Sequence, residues 1–167
     1  MERGRQRPQT RLLGIETKTK WAVVVAGRCR KQGLENVTVW AGDAREMVGR
    51  MVPDGVLGRV FMHFPDPWWK KRHAKRRLLD DALLADLSRL LAPGGELFVQ
   101  TDVRERATSV VELLRERADF RLTGDDGLLS ANPYGARSNR ERRVEADGLP
   151  VYRILAIRGR SYIRGRS

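Results

Sequence analysis

The sequence predicts an α/β protein built on an open, largely parallel sheet, and three observations predict it. Short apolar runs alternate with amphipathic stretches along the 167 residues, the pattern of strands joined by covering helices. Turn-forming breaks separate them at Gly33, at Pro53-Asp54-Gly55 and at Pro93-Gly94-Gly95, where the chain must leave regular structure. Four acids, Glu16, Asp43, Asp66 and Asp102, fall at or just beyond the carboxyl ends of apolar runs, the edge at which open α/β sheets bind ligands.

Each element follows from local pattern. Arg11 to Glu16 reads as a strand ending in an acid. Lys18 to Gln32 carries Trp21, Val24, Val25 and Cys29 at helical spacing, with Gly33 placed as a terminator. Asn36 to Trp40 is the next strand, and Gly42-Asp43-Ala44 opens a short helix that ends before Pro53. Val60 to Phe64 is a third strand, closed by Pro65-Asp66-Pro67. Leu78, Leu79, Ala82, Leu83, Leu87, Leu90 and Leu91 mark one apolar helix face, stopped by Pro93-Gly94-Gly95 before a strand from Glu96 to Gln100. A helix from Arg104 to Ala118 leads to a short strand at Phe120 to Leu122. Thr123 to Asp147 is polar and reads as loop, and Val151 to Ile157 is a final apolar strand followed by an Arg-rich tail.

Composition narrows the function. Lys and Arg number 33 against 21 Asp and Glu, a net charge of +12, and so basic a surface fits phosphates in nucleic acid or on an anionic membrane. No apolar run approaches the roughly 20 residues of a membrane span, and Met1 to Arg11 lacks the apolar segment of a signal peptide. Cys29 is the single cysteine, so no intramolecular disulfide or cysteine-based zinc site forms, as in a reducing cytoplasm. No metal site is implied, and His63 and His73 read as packing and phosphate contacts.

The four acids have a structural reading and a functional one. Asp43 and Asp102 each suit a helix N-cap, and Asp66 suits a turn between two prolines. Four carboxylates at four strand ends of a strongly basic chain point together to a site. The densest signal is His63 to Arg77. Pro65 and Pro67 restrict Asp66, Trp68 and Trp69 follow, and six of the eight residues Lys70 to Arg77 are Lys or Arg. Aromatics interleaved with cations match unstacked bases on a phosphate backbone, although one indole is accounted for by a place in the core.

Phe64 to Arg77 resembles the F-P-D-P-W-x-K-x-R-H-x-K-R-R motif of the bacterial tRNA (guanine-N7)-methyltransferases, and the resemblance extends over almost the whole chain. It implies a Rossmann-like S-adenosylmethionine-dependent methyltransferase fold, as one methyltransferase-like domain over residues 1–167 with a basic tail at 158–167. It implies methyl transfer from S-adenosylmethionine to N7 of a guanine in the variable loop of tRNA, in the cytoplasm. Glu16 resembles the acid that holds the cofactor ribose, Asp43 the acid beside the adenine, and Asp66 a residue serving both cofactor and catalysis. Lys70 and Asp102 fall on the substrate side, and Arg72, His73, Ala74, Lys75, Arg76 and Arg77 on the RNA-binding segment. Ser138, Asn139, Arg140 and Glu141 are similar to the start of the family's T-x-F-E-x-R motif and are expected at the substrate, with Ser138 for the usual Thr and Arg140 for the usual Phe.

One stretch of the family pattern has no counterpart. The first strand and its glycine-rich turn are not found in Met1 to Arg11, and Arg5 to Leu13 is similar instead to the end of the helix that follows that turn. The expected fold is therefore amino-terminally truncated, with a gap between strands and unpaired backbone groups there, each costing about 1–3 kcal/mol if buried. Two other readings compete with the enzyme. One is a tRNA-binding remnant without turnover; the other is a basic DNA-binding or ribosomal protein, which does not explain the acids. Oligomeric state is left open by the sequence.

Overall fold

The computed structural model describes residues 1–65 and 79–159. They cluster into two compact units, one formed by Met1–Arg50 with Tyr134–Arg137, the other by residues 51–133 with those from Ser138 onward.

In the first unit, α1 (Glu2–Gln6), β1 (Leu12–Glu16), α2 (Thr19–Lys31), β2 (Val37–Ala41) and α3 (Ala44–Arg50) follow one another. Strands β1 and β2 run parallel, in a register that sets Leu12 opposite Val37 and Glu16 opposite Ala41. A parallel pair needs a crossover to cover it, and α2 supplies it by burying Ala22 and Cys29. Gly33 ends this turn in the left-handed region, φ +64°, as the sequence predicts. The Asn36 amide then donates to the carbonyls of Gly4, Arg7 and Thr10 at 3.0–3.1 Å, which fixes the amino-terminal segment to the start of β2.

The second unit contains β3 (Leu57–His63), α4 (Asp81–Leu90), β4 (Leu91–Thr101), α5 (Arg104–Arg115), β5 (Phe120–Leu122), α6 (Asn139–Ala146) and β6 (Tyr152–Arg158). Its sheet has the order β3-β4-β6-β5. Asp80 caps α4 by accepting from the Leu83 amide at 3.0 Å. The core lies between α4, α5 and the central strands, where Leu84, Leu90, Leu91, Leu97, Phe98, Val99 and Ile154 are fully buried. Burying each such side chain stabilises the unit by about 1.5–3 kcal/mol before the entropy of ordering is counted.

Several expectations are corrected. The sheet is mixed: β1–β2 and β3–β4 are parallel, but β4–β6 and β5–β6 are antiparallel. The segment between β5 and β6 offers no apolar helix to lie across the sheet as a crossover, since α6 buries only Glu141 and Val144. That same α6 replaces part of the loop expected over Thr123 to Asp147. Leu91 opens β4 instead of ending the helix, and Ala82 is exposed while Leu84 is buried. The buried stripe of α4 runs through Leu83, Leu84, Leu87 and Leu90, and at 100° per residue position 82 faces away from it. Pro93-Gly94-Gly95 lies within an irregular start of β4, where the β3–β4 register shifts between the Leu57–Leu91 and Arg59–Glu96 pairs. Strand β3 stops at His63, because Phe64 turns to φ +47°. Among the described residues β1 and β2 form a two-stranded sheet, and β3, β4, β6 and β5 a four-stranded one.

Candidate functional site

The acids of the first unit sit at neighbouring strand ends. Glu16 closes β1, and its carboxylate accepts from the Lys18 amide at 2.9 Å. Asp43 follows β2 and accepts from the Arg45 amide at 2.8 Å, so its capping role is real. Between them Gly42 donates its backbone N–H to the Glu16 carbonyl at 3.0 Å. A Cβ on Gly42 would stand 2.3 Å from the outer edge of the Trp40 ring, so a larger residue there would displace the indole that lies against this turn. Each carboxylate keeps acceptor capacity beyond its single backbone N–H. An acceptor past the end of each of two adjacent parallel strands, one able to take a ribose hydroxyl and the other a base amino group, fits a nucleoside cofactor.

The second unit gathers its polar groups around the ends of β3 and β4 and the start of α6. Phe64 takes a left-handed conformation rare for a bulky residue, a form of strain that collects at functional sites. Its amide donates to the Gln100 carbonyl at 2.8 Å. Asp102, just past β4, pairs with the Arg140 guanidinium at 2.9 Å, and that guanidinium lies 5.3 Å from the centre of the Phe64 ring. Phe64, Asp102 and Arg140 are thus brought together, at the two strand ends where the sequence predicts a site.

Arg140 is aimed by the first turn of α6. Ser138 accepts from the Glu141 amide at 3.0 Å, and Glu141 accepts in return from the Ser138 amide at 3.4 Å, a reciprocal capping box. Glu141 itself is wholly buried. Its carboxylate takes hydrogen bonds from Asn132 at 3.1 and 3.2 Å and from Arg153 at 3.0 and 3.2 Å, while Arg153 also pairs with Glu145 at 2.6 Å. Burial pushes the Glu141 carboxyl up, but the bonds from Asn132 and Arg153 outweigh it and hold the pKa below the ordinary value. Asn139 is exposed beside Arg140.

Asn132 and Arg153 are missed by sequence reasoning. The signal for Arg153 was present, since it is a lone cation inside the otherwise apolar run Tyr152 to Ile157; Asn132 lies in a polar stretch without one. Asp66, Lys70, Arg72, His73, Ala74, Lys75, Arg76 and Arg77 lie outside the described residues. No cluster able to hold a metal occurs among the described residues, and none of their helices is long and apolar enough to cross a membrane.

His63 keeps an exposed edge, while its ring stacks 5.8 Å from Phe61 and stands edge-on to Phe98, with Nδ1 2.6 Å from the Gln100 side-chain oxygen. Burial lowers its pKa below the ordinary 6.5, more than the Gln100 bond raises it. The unfolded chain therefore binds more protons than the folded one as pH falls below about 6.5, and stability declines there. Glu141, held below its ordinary 4.5, contributes stability above that value which is lost on further acidification. Thermal unfolding followed from pH 8 to 3 should show both losses, and His63→Phe should remove the first and leave the second.

Comparison with known proteins places this arrangement. A family model described as "Putative methyltransferase" matches residues 1–154. The tRNA (guanine-N(7)-)-methyltransferase of Anaeromyxobacter dehalogenans is 42% identical over 151 residues, 90% of this chain and 75% of the relative. The chain belongs to the tRNA (guanine-N(7)-)-methyltransferase family. A second member, from Myxococcus xanthus, is 37% identical over 159 residues, covering 95% of this chain and 77% of its own. Among solved structures, an rRNA methylase from Streptococcus thermophilus superposes with a TM-score of 0.57 at 13% identity, over 90% of this chain and 74% of that one. A methyltransferase from Streptococcus mutans in complex with SAH gives 0.54 at 10% identity, over 89% and 76%. At such identities these structures speak for the fold, which is that of the Rossmann-like methyltransferases.

Proposed function

We propose that this chain transfers the methyl group of S-adenosylmethionine to N7 of a guanine in the variable loop of tRNA, forming 7-methylguanosine in the cytoplasm. The 42% identity with a relative named for that reaction carries the reading. Residues 1–167 act in it as one methyltransferase-like domain with a basic tail at 158–167. Bound S-adenosylmethionine supplies an electrophilic methyl group on a sulfonium.

Guanine N7 has a lone pair and no proton, so no residue has to act as general base, and the chain's task is positioning. Glu16 and Asp43 accept from the cofactor's hydroxyl and amino groups. Asp66, which the sequence sets between two prolines, is assigned to the reacting purine, where a carboxylate favours the positive charge that grows on the ring as N7 is alkylated. Asp102 and Arg140, with Ser138 and Asn139 on the same turn, form the base-binding side with Lys70. Glu141, having its oxygens engaged inside the fold, is a positioning residue that holds this turn. Arg72, His73, Ala74, Lys75, Arg76 and Arg77 run along the RNA backbone.

The direct test is incubation of the chain with tRNA and methyl-labelled S-adenosylmethionine, followed by nucleoside analysis. Labelled 7-methylguanosine is expected. Binding of tRNA without methyl transfer would favour the non-catalytic RNA-binding reading instead. Arg76→Ala with Arg77→Ala should flatten the plot of log affinity against log salt by about 0.7 for each single-stranded phosphate no longer neutralised; an unchanged slope would place both side chains off the RNA.

A further inference from the structure

The outer face of α2 carries cations and a half-exposed indole, with Val23, Val24 and Gly27 between them. Its inner face buries Ala22 and Cys29. At 100° per residue, Lys20, Trp21, Arg28 and Lys31 fall within a sector of about 100° on the other side, and Trp21 and Arg28 stand two turns apart, about 10 Å along the axis. Trp21 is 50% exposed, with the Lys20 ammonium 6.0 Å from its ring centre. The stripe continues onto α1, where Arg5 donates to the Gln32 side chain at 2.5 Å, a neutral partner that leaves the guanidinium charge uncompensated. Among the described residues, none of Arg5, Lys20, Arg28 and Lys31 forms an ion pair with a carboxylate, and α2 contains no acid.

A solvated helix face ordinarily mixes the two signs of charge and keeps large apolar rings covered. A stripe of one sign with an aromatic plane in it is complementary to a polyanion with unpaired bases. We propose that this face of α2, together with Arg5, is a second RNA-contacting surface of the chain. Arg5, Lys20, Arg28 and Lys31 hold tRNA phosphates there, and Trp21 stacks on an unpaired base. The surface is separate in sequence from the cation cluster at 70–77, and it lies on the unit that carries Glu16 and Asp43. The inference rests on the reading of tRNA as substrate.

The test titrates tRNA into the full chain and into three variants: Trp21→Ala, Trp21→Phe, and Lys20→Gln with Arg28→Gln and Lys31→Gln. S-Adenosylmethionine affinity and thermal unfolding are measured on each. Trp21→Ala should weaken tRNA binding by on the order of tenfold, since stacking on one aromatic is of that size, and Trp21→Phe should recover most of it. The triple Gln variant should reduce the slope of log affinity against log salt by about 2. Cofactor affinity should be unchanged in all three. If Trp21→Ala does not fold, Trp21→Phe and the Gln variant decide.

Folded variants that bind tRNA like the wild type would overturn the surface while leaving the enzymatic reading intact. A Trp21 variant that loses cofactor affinity alone would assign the indole to the cofactor and overturn it too. A wild-type chain that binds tRNA but methylates none would overturn the enzymatic reading, and the same titrations would still judge the surface. A wild-type chain that binds no RNA would overturn both.

Discussion

Glu141→Gln should lower the unfolding free energy by about 3–5 kcal/mol, the range found when one partner of a buried ion pair is removed. The size follows from burial. Arg153 is nearly as enclosed as Glu141, and after the change its guanidinium keeps, among the described residues, Glu145 as a charged partner, on the more exposed side. Gln preserves the shape and can still accept, but it also places an amide group among donors. Chemical denaturation checks the figure. The double variant Glu141→Gln with Arg153→Met should be more stable than Glu141→Gln by itself, because the stranded charge is gone. A loss below about 1 kcal/mol in the single variant would mean that water reaches the pair. The change should also loosen the turn that aims Arg140 at Asp102, raising KM for tRNA in the protein that remains folded.

Asp66→Ala should reduce methyl transfer by about 100-fold or more while tRNA affinity stays within a few-fold of wild type. Removing one preorganised group that stabilises developing charge has an effect of that order, and the residues assigned to grip RNA, Arg72 to Arg77, are untouched. Asp66→Asn separates two roles: it keeps hydrogen-bonding capacity and loses the charge, so a fall close to that of Ala would identify electrostatics as the contribution. Single-turnover kinetics with saturating tRNA is the measurement. An active Asp66→Ala enzyme would remove the residue from catalysis.

The strands were legible because each is a compact apolar run bounded by turn residues, and β1, β2 and β5 lie within a residue or so of where the sequence puts them. Other features were legible in principle and lost to a stronger local impression. Ser138-Asn139-Arg140-Glu141 is a capping-box sequence, yet α6 reads as loop because it is dominated by charged residues and buries little apolar surface. The end of β3 was obscured because Phe64 is a good strand former, and only the chain's turn toward Pro65 takes it into the left-handed region. Antiparallel pairing of β6 depends on contacts between segments distant in sequence, which periodicity does not carry.

The candidate site divides in the same way. Acids at strand ends are visible in a sequence because position along an α/β chain fixes which loops meet. Asp102 and Arg140 stand 38 residues apart, and their pairing over Phe64 is a fact of tertiary structure. Asn132 and Arg153 on Glu141 are of the same kind, and they engage the carboxylate of a residue expected at the substrate inside the fold.

The central claim concerns one atom, the guanine N7, and a tRNA transcript made with 7-deazaguanosine tests it most directly. That base keeps the Watson–Crick edge and the stacking surface but has carbon where the nucleophile stands. Methyl incorporation from labelled S-adenosylmethionine into an ordinary transcript, with none into the 7-deazaguanosine transcript bound at similar affinity, is the predicted result. Equal incorporation into both would place the methyl group on another atom and contradict the account.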